Sequence, residues 1–214
     1  MPRKPVGASG LEEHASKSAR TRERILDAAA HVLSRKGYAG TRLADVADEA
    51  QIQAPAIYYY FHSRDELIEE VMWSGIAHMR EHITAILSTL PAGTGPLDRI
   101  DAAVEGHLRY SLEISDYTTA SIRNAGQVPE TIRKRYNTEA VAYGEVWRAL
   151  LDDAQAAGVL RPELDAMAAR MMVLGALNWA SEWWSPRRGP LDSVVRTAQS
   201  LVRHGLSRDE PVPA

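Results

Sequence analysis

Apolar residues recur along this chain at intervals of three and four and almost nowhere alternate one by one, so its 214 residues are expected to fold as helices without a sheet. The clearest stripe is Ile68, Met72, Ile76, Met79, Ile83, Ile86 and Leu90, which predicts a single helix of about 25 residues. Ser63-Arg64-Asp65-Glu66 opens it as a capping box: the serine oxygen can accept an amide of the first turn while the glutamate reaches back. Pro91 to Pro96, with two glycines between, closes it.

Three shorter helices precede it. The first, over 18–36, turns Ile25, Ala28, Ala29, Val32 and Leu33 inward and stops at Gly37. The second follows Thr41 and buries Leu43, Val46, Ala47 and Ala50; the third covers 54–61, with Pro55 tolerated in its first turn. Beyond the long helix, the pattern predicts helices over 97–115, 117–124, 129–157, 163–184 and 191–205. The fold class expected is all-α.

The charge distribution sharpens this picture. The net charge is −3, yet residues 1–64 hold ten basic and seven acidic groups, so a basic head precedes an acidic body. Cysteine is absent, which excludes disulfides, thiolate metal sites and cysteine nucleophiles and fits a cytoplasmic protein. No apolar run approaches the roughly 18 residues of a membrane span. The basic start has no apolar segment after it, unlike a secretory signal. The expected organisation is a flexible basic tail (1–18), a head of short helices (19–66), a longer helical domain (67–208) and a flexible end (209–214).

Two short helices joined by a tight turn behind a longer one outline a helix-turn-helix, whose second short helix would enter the major groove. Ile25-Leu26-Asp27-Ala28-Ala29, Lys36-Gly37-Tyr38, Thr41, Val46-Ala47, Ala50-Gln51-Ile52, Ile57-Tyr58-Tyr59-Tyr60-Phe61 and Ser63-Arg64-Asp65-Glu66-Leu67 follow in order and without gaps over residues 20–68. This segment resembles the TetR family of transcriptional repressors. The resemblance implies a homodimer on palindromic operator DNA and a helical C-terminal domain that binds a small hydrophobic effector. Gln51 stands where the family usually has glycine, so it is expected to carry a positive φ costing roughly 1–2 kcal/mol. Gln53 replaces the usual Ser or Thr cap, and Arg64 stands where lysine is common.

Side-chain chemistry suggests roles within the head. Gln53 can pair with adenine through two hydrogen bonds, and Ala54, Pro55 and Ala56 can meet thymine methyls. Tyr59 and Tyr60 can donate hydroxyls to phosphates or base edges, and the resemblance favours phosphate for Tyr60. Thr41, Arg42, His62 and Arg64 are candidate phosphate contacts at helix starts. Because the recognition helix lacks Lys and Arg, Arg42, Arg64 and the preceding Lys17, Arg20 and Arg22 are expected to supply the salt-dependent affinity. Ile57, Tyr58 and Phe61 are expected in the core.

In the second domain, residues with apolar bodies and polar tips are candidate effector contacts: Tyr110, Tyr117, Tyr143, Trp147, Asn178, Trp179 and Trp183. Met72, Ile76, Met79 and Ile83 would form an adaptable wall. Leu174 to Trp179, with Trp183-Trp184, resembles members that sense acyl-CoA or steroid-type thioesters, and Arg109, Arg123, Arg148 or Arg170 could anchor an anionic group. The last two helices, with small residues at Ala168, Gly175, Ala176 and Ala180, could form a four-helix bundle across a two-fold axis. An alternative effector is an aromatic cation, met by tryptophan and tyrosine faces and by Glu105, Glu113, Glu145 or Glu182. A more distant alternative is a zinc hydrolase: His78, Glu81 and His82 match H-x-x-E-H. No cofactor, catalytic residue or metal site is otherwise expected.

Overall fold

The long apolar stripe does form one helix, and the other elements are arranged along it. A computed structural model describes residues 8–208. In chain order its helices are α1 (Ala8–Gly40), α2 (Leu43–Glu49), α3 (Ala54–Ile57), α4 (Arg64–Thr89), α5 (Pro96–Arg109), α6 (Asp116–Asn124), α7 (Glu130–Ala156), α8 (Ala166–Trp183) and α9 (Leu191–Leu206). Among the described residues there is no sheet, only an isolated bridge between Leu160 and Ser207.

Helix α1 starts at Ala8, within the stretch expected as a flexible tail. Strong helix formers account for this: Leu11, Glu12, Glu13, Ala15 and Lys17 follow the last proline and outweigh the lone Gly10. Residues 1–7 and 209–214 of the two expected tails lie outside the described residues. Gly37 interrupts α1 as anticipated, with φ 70° and ψ 174°, a conformation that glycine reaches without steric penalty.

The turn between α2 and α3 places Gln51 at φ 55°, the left-handed conformation anticipated for a position that glycine usually fills. Helix α3 is shorter than the 54–61 expected. Tyr58 to Tyr60 form a tightened turn in which the Tyr60 and Phe61 amides both donate to the Ile57 carbonyl, at 2.9 and 3.0 Å. Three consecutive tyrosines cannot share one buried face. Tyr58 therefore points outward, contrary to expectation, while Ile57 and Phe61 are buried.

Ser63 caps α4 by accepting from the Glu66 amide at 3.0 Å, and the Glu66 carboxylate returns to the His62 amide at 2.7 Å, one residue before the usual partner. The stripe on α4 serves two cores. Leu67, Ile68, Val71 and Met72 pack with α1, α2 and α3 and with Ala120, Val128 and Ile132. Ile76, Met79 and Ile83 pack with α5, α7, α8 and α9 around Trp147 and Leu177. Between them, at Gly75, α4 crosses α6 so closely that a Cβ would collide with the Tyr117 carbonyl and the Ser121 side chain.

Replacing Gln51 with glycine should raise stability by about 1 kcal/mol, the left-handed penalty less the added freedom of the unfolded chain. Urea denaturation checks this; a Gln51→Gly variant less stable than the parent would show that the Gln51 side chain stabilises the turn.

Candidate functional site

The head presents one outward face built on α3. Gln53 is its N-cap, with extended backbone and no side-chain capping bond, so its amide is free to project. Gln53, Pro55, Ala56, Tyr58, Tyr59 and His62 are exposed, Ala54 and Tyr60 are half-buried, and Tyr59 is 80% exposed with its ring edge-on to Tyr60 at 5.2 Å. Arg42, at the start of α2, is exposed, and its side chain has no hydrogen-bond or ion-pair partner among the described residues.

Three of the proposed phosphate contacts are engaged inside the head instead. Thr41 is only 3% exposed, and its hydroxyl donates to the Gly37 carbonyl at 2.7 Å. Arg64 lies over the Tyr38 ring at 4.4 Å, donates from Nε to the Thr41 carbonyl at 2.8 Å and reaches the Tyr38 carbonyl with a second nitrogen. It thus fixes the chain leaving α1, a use of the planar guanidinium that composition alone does not disclose. Arg22 sits over Phe61 at 5.0 Å and pairs with Glu70 at 3.4 Å.

The second domain holds a half-open cavity of about 630 Å³ between α4, α5, α6, α7 and α8. Four of the expected contacts line it: Ile76, Met79, Tyr143 and Asn178. Seven do not. Met72 is spent in the core of the head, and Ile83 and Trp147 in the core of the second domain. Tyr117 turns to α1, where its hydroxyl donates to Asp27 at 2.8 Å, and Tyr110 stacks on His82 at 4.4 Å. Trp179, 64% exposed, and Trp183 lie on the outer face of α8. Helical periodicity places all of these on helices, but which face meets the cavity depends on crossing angles that periodicity does not carry.

At its inner end the cavity is lined by His107, Thr118, Ser121 and Tyr143, all buried; at its outer end Val141 and Met171 are exposed. His107 was missed by sequence reasoning, although it recurs with Ile100, Ala103 and Val104 on the apolar face of α5. Its Nδ1 meets the Tyr143 hydroxyl at 2.8 Å, and its Nε2 has no hydrogen-bond partner. Burial pushes the imidazole down to about 4, opposed by the neighbouring Asn178 amide, so the ring is neutral near pH 7. Of the arginines considered as anchors, only Arg170 lines the cavity; it donates to the Gly144 carbonyl at 3.1 Å. Arg109 pairs with Glu105 and Asp192, and Arg148 with Glu145.

Helix α6 joins this cavity to the head. Thr118, Ser121 and Ile122 face the cavity, while neighbouring residues bind α1. Asp116 meets His31 at 2.9 Å and Ser34 at 3.3 Å. Asn124, fully buried, accepts from the Tyr38 amide at 2.7 Å and donates to the Leu33 carbonyl at 3.3 Å. Arg123 donates to the Ser34 carbonyl at 2.8 Å and also to the Ser181 carbonyl on α8. These contacts were not anticipated, since residues some 90 positions apart in sequence carry no local signal of meeting.

Helices α8 and α9 also expose Met167, Met172, Trp179 and Leu201, none of which lines the cavity. Among the described residues no group of three His, Cys, Asp or Glu side chains is placed to hold a metal ion. His78 is exposed beside Tyr117, and His82 is stacked on Tyr110, so the zinc pattern finds no third ligand there. No described helix is long and apolar enough to cross a membrane.

Comparison with known proteins agrees with this architecture at both ends. Residues 25–71 match the family model of bacterial regulatory proteins, tetR family, and residues 93–206 match that of the tetracyclin repressor-like C-terminal domain. The HTH-type transcriptional repressor KstR2 of Mycolicibacterium smegmatis is 24% identical over 204 residues, 91% of this chain and 95% of that one. The repressor NicS of Pseudomonas putida is 31% identical over 172 residues, 74% of each chain. These relatives are transcriptional repressors rather than enzymes. Among solved structures, that of AibR in complex with isovaleryl coenzyme A and operator DNA superposes with a TM-score of 0.75 at 18% identity, over 85% of this chain and 96% of that one.

The His107 environment sets a pH dependence. Its folded value of about 4 lies below the ordinary 6.5, so the unfolded chain binds the extra proton between these values, and stability falls as pH drops through that window. Lowering pH from 7.5 to 5 should cost about 2 kcal/mol in urea denaturation that a His107→Leu variant does not lose. An equal loss in both proteins would show that His107 is not held neutral.

Proposed function

Because the chain belongs to the tetR family of bacterial regulatory proteins, we propose that it is a cytoplasmic transcriptional repressor that binds palindromic operator DNA as a homodimer and releases it when a small, mainly apolar molecule fills the cavity. The observation that carries this reading is α6, which forms a wall of the cavity with one face and holds the DNA-facing head with the other. The operator and coenzyme A thioester in the AibR complex support assigning the two surfaces these partners.

In this reading Gln53 reads a base edge in the major groove, Ala54, Pro55 and Ala56 press on thymine methyls, and Tyr59, Tyr60 and His62 position the helix on the backbone. Arg42 supplies phosphate attraction that engaged Arg64 and Arg22 do not. Two heads are needed for two half-sites about 34–36 Å apart, and the exposed Met167, Met172, Trp179 and Leu201 of α8 and α9 form the surface through which two copies pair. An effector shifts the population only by binding one arrangement of α6 and α4 more tightly than the other.

The cavity favours a neutral or anionic effector over an aromatic cation. Its one acidic lining residue, Glu145, is exposed and paired with Arg148, while Arg170 offers a positive charge.

On DNA from the protein's own promoter region, Gln53→Ala should weaken specific binding by about 1–3 kcal/mol and leave binding to random DNA unchanged. Arg42→Ala should weaken both and lower the salt slope by about 0.9 per subunit. Fluorescence anisotropy across a salt series measures all three. Parent protein that binds promoter and random DNA alike would end the operator reading.

A further inference from the structure

We infer that the inner end of the cavity binds a neutral hydroxyl group on an otherwise apolar carbon skeleton, held between the His107 imidazole and the Thr118 and Ser121 oxygens. The inference rests on the cavity being the effector site and adds what the effector must carry at its buried end.

Three buried side chains define the chemistry there, with the Asn178 amide beside the imidazole. His107 is 1% exposed, lines the cavity, and leaves Nε2 without a partner while Nδ1 meets the Tyr143 hydroxyl at 2.8 Å. A buried polar nitrogen left unpaired is costly, and native proteins rarely retain one without a use for it. Thr118 and Ser121 are equally buried. Their hydroxyl protons are committed to backbone carbonyls of α4, Thr118 to Gly75 at 3.0 Å and Ser121 to Met72 at 2.6 Å. Each therefore presents only lone pairs to the cavity.

The combination selects among oxygen groups. A carboxylate would face two acceptor oxygens with no proton to give, beside an imidazole that burial keeps neutral, with only the Asn178 amide and at most one imidazole N–H to donate to it. A bare hydrocarbon would leave Nε2 with no polar neighbour beyond the Asn178 amide, which makes no hydrogen bond to it. A hydroxyl is both donor and acceptor: it can accept from Nε2–H while donating its one proton to Thr118 or Ser121, and in the other tautomer that proton goes to Nε2 instead. A ketone can use only the Nε2–H tautomer and gives nothing to the two hydroxyl oxygens. Around this polar end Ile76 and Met79 of α4 and Leu174 of α8 supply apolar surface for the skeleton, and the exposed Val141 and Met171 lie toward the outside.

The test uses the full-length protein and four bicyclic probes of one shape: decalin, 2-decalol, 2-decalone and decalin-2-carboxylate, titrated by tryptophan fluorescence or calorimetry. The alcohol should bind at least tenfold tighter than the carboxylate and tighter than the ketone. His107→Leu, checked for folding by circular dichroism, should weaken the alcohol at least tenfold while leaving decalin unchanged or tighter. Thr118→Val keeps the shape of the wall and should weaken the alcohol more than the ketone. An alcohol-to-decalin ratio that His107→Leu does not alter, tightest binding by the carboxylate, or binding by none of the four would overturn the inference. Each probe is also added to the protein on promoter DNA. Selective alcohol binding without DNA release upholds the hydroxyl site and ends the effector reading; release by decalin and 2-decalol alike does the reverse.

Discussion

The close crossing of α4 and α6 at Gly75 is the contact on which the rest of the molecule depends. With no side chain at this position, the Thr118 and Ser121 hydroxyls reach the α4 carbonyls of Gly75 and Met72 and pin one helix to the other. Because α4 also carries the boundary between the two cores, α6 is held at the joint: Ala120 belongs to the core of the head, while Ser121 and Ile122 line the cavity. A side chain there would push the helices apart and loosen cavity and head together.

From this joint, polar contacts extend in two directions. Toward the head, Asp116, Tyr117, Arg123 and Asn124 fix α1 through side chains and backbone groups, so a shift of α6 is transmitted to α1 by directional bonds rather than by a yielding apolar surface. Toward the ligand side, His107 and Tyr143 close the cavity with a polar end. In the proposed reading, a guest that changes the seating of α6 acts on the orientation of the α3 face, and through it on DNA. Arg123 also ties α6 to Ser181 on α8, the helix whose outer face is proposed to meet the partner subunit.

Much of the fold was legible in the sequence, because it rests on local rules. The α4 stripe, the Ser63 cap, the break at Gly37 and the strained turn at Gln51 are each set by residues within a few positions of one another. Of the residues expected to face DNA, Gln53, Pro55, Ala56, Tyr59 and His62 are exposed, whereas Thr41 and Arg64 are taken up inside the head and Tyr58 is exposed by the shortened α3. The cavity was only partly legible. Tyr117, Trp147 and Trp179 have the composition of ligand contacts but are used for the head, the core and the outer face respectively. His107 could have been found as the one ionisable residue on an apolar stripe, whereas Arg64 could not be told from a phosphate ligand until the carbonyls of Tyr38 and Thr41 came within its reach.

Reciprocal coupling between cavity and DNA surface is the central claim, and one thermodynamic box tests it. The tightest-binding compound among hydroxylated carbocycles and acyl-coenzyme A thioesters of graded length is titrated into the free protein and into protein saturated with its promoter DNA. The account predicts weaker binding to the DNA-loaded form, by the same factor that the compound weakens DNA affinity. Equal affinity for the two forms would contradict it, leaving a DNA-binding head and a cavity that do not communicate.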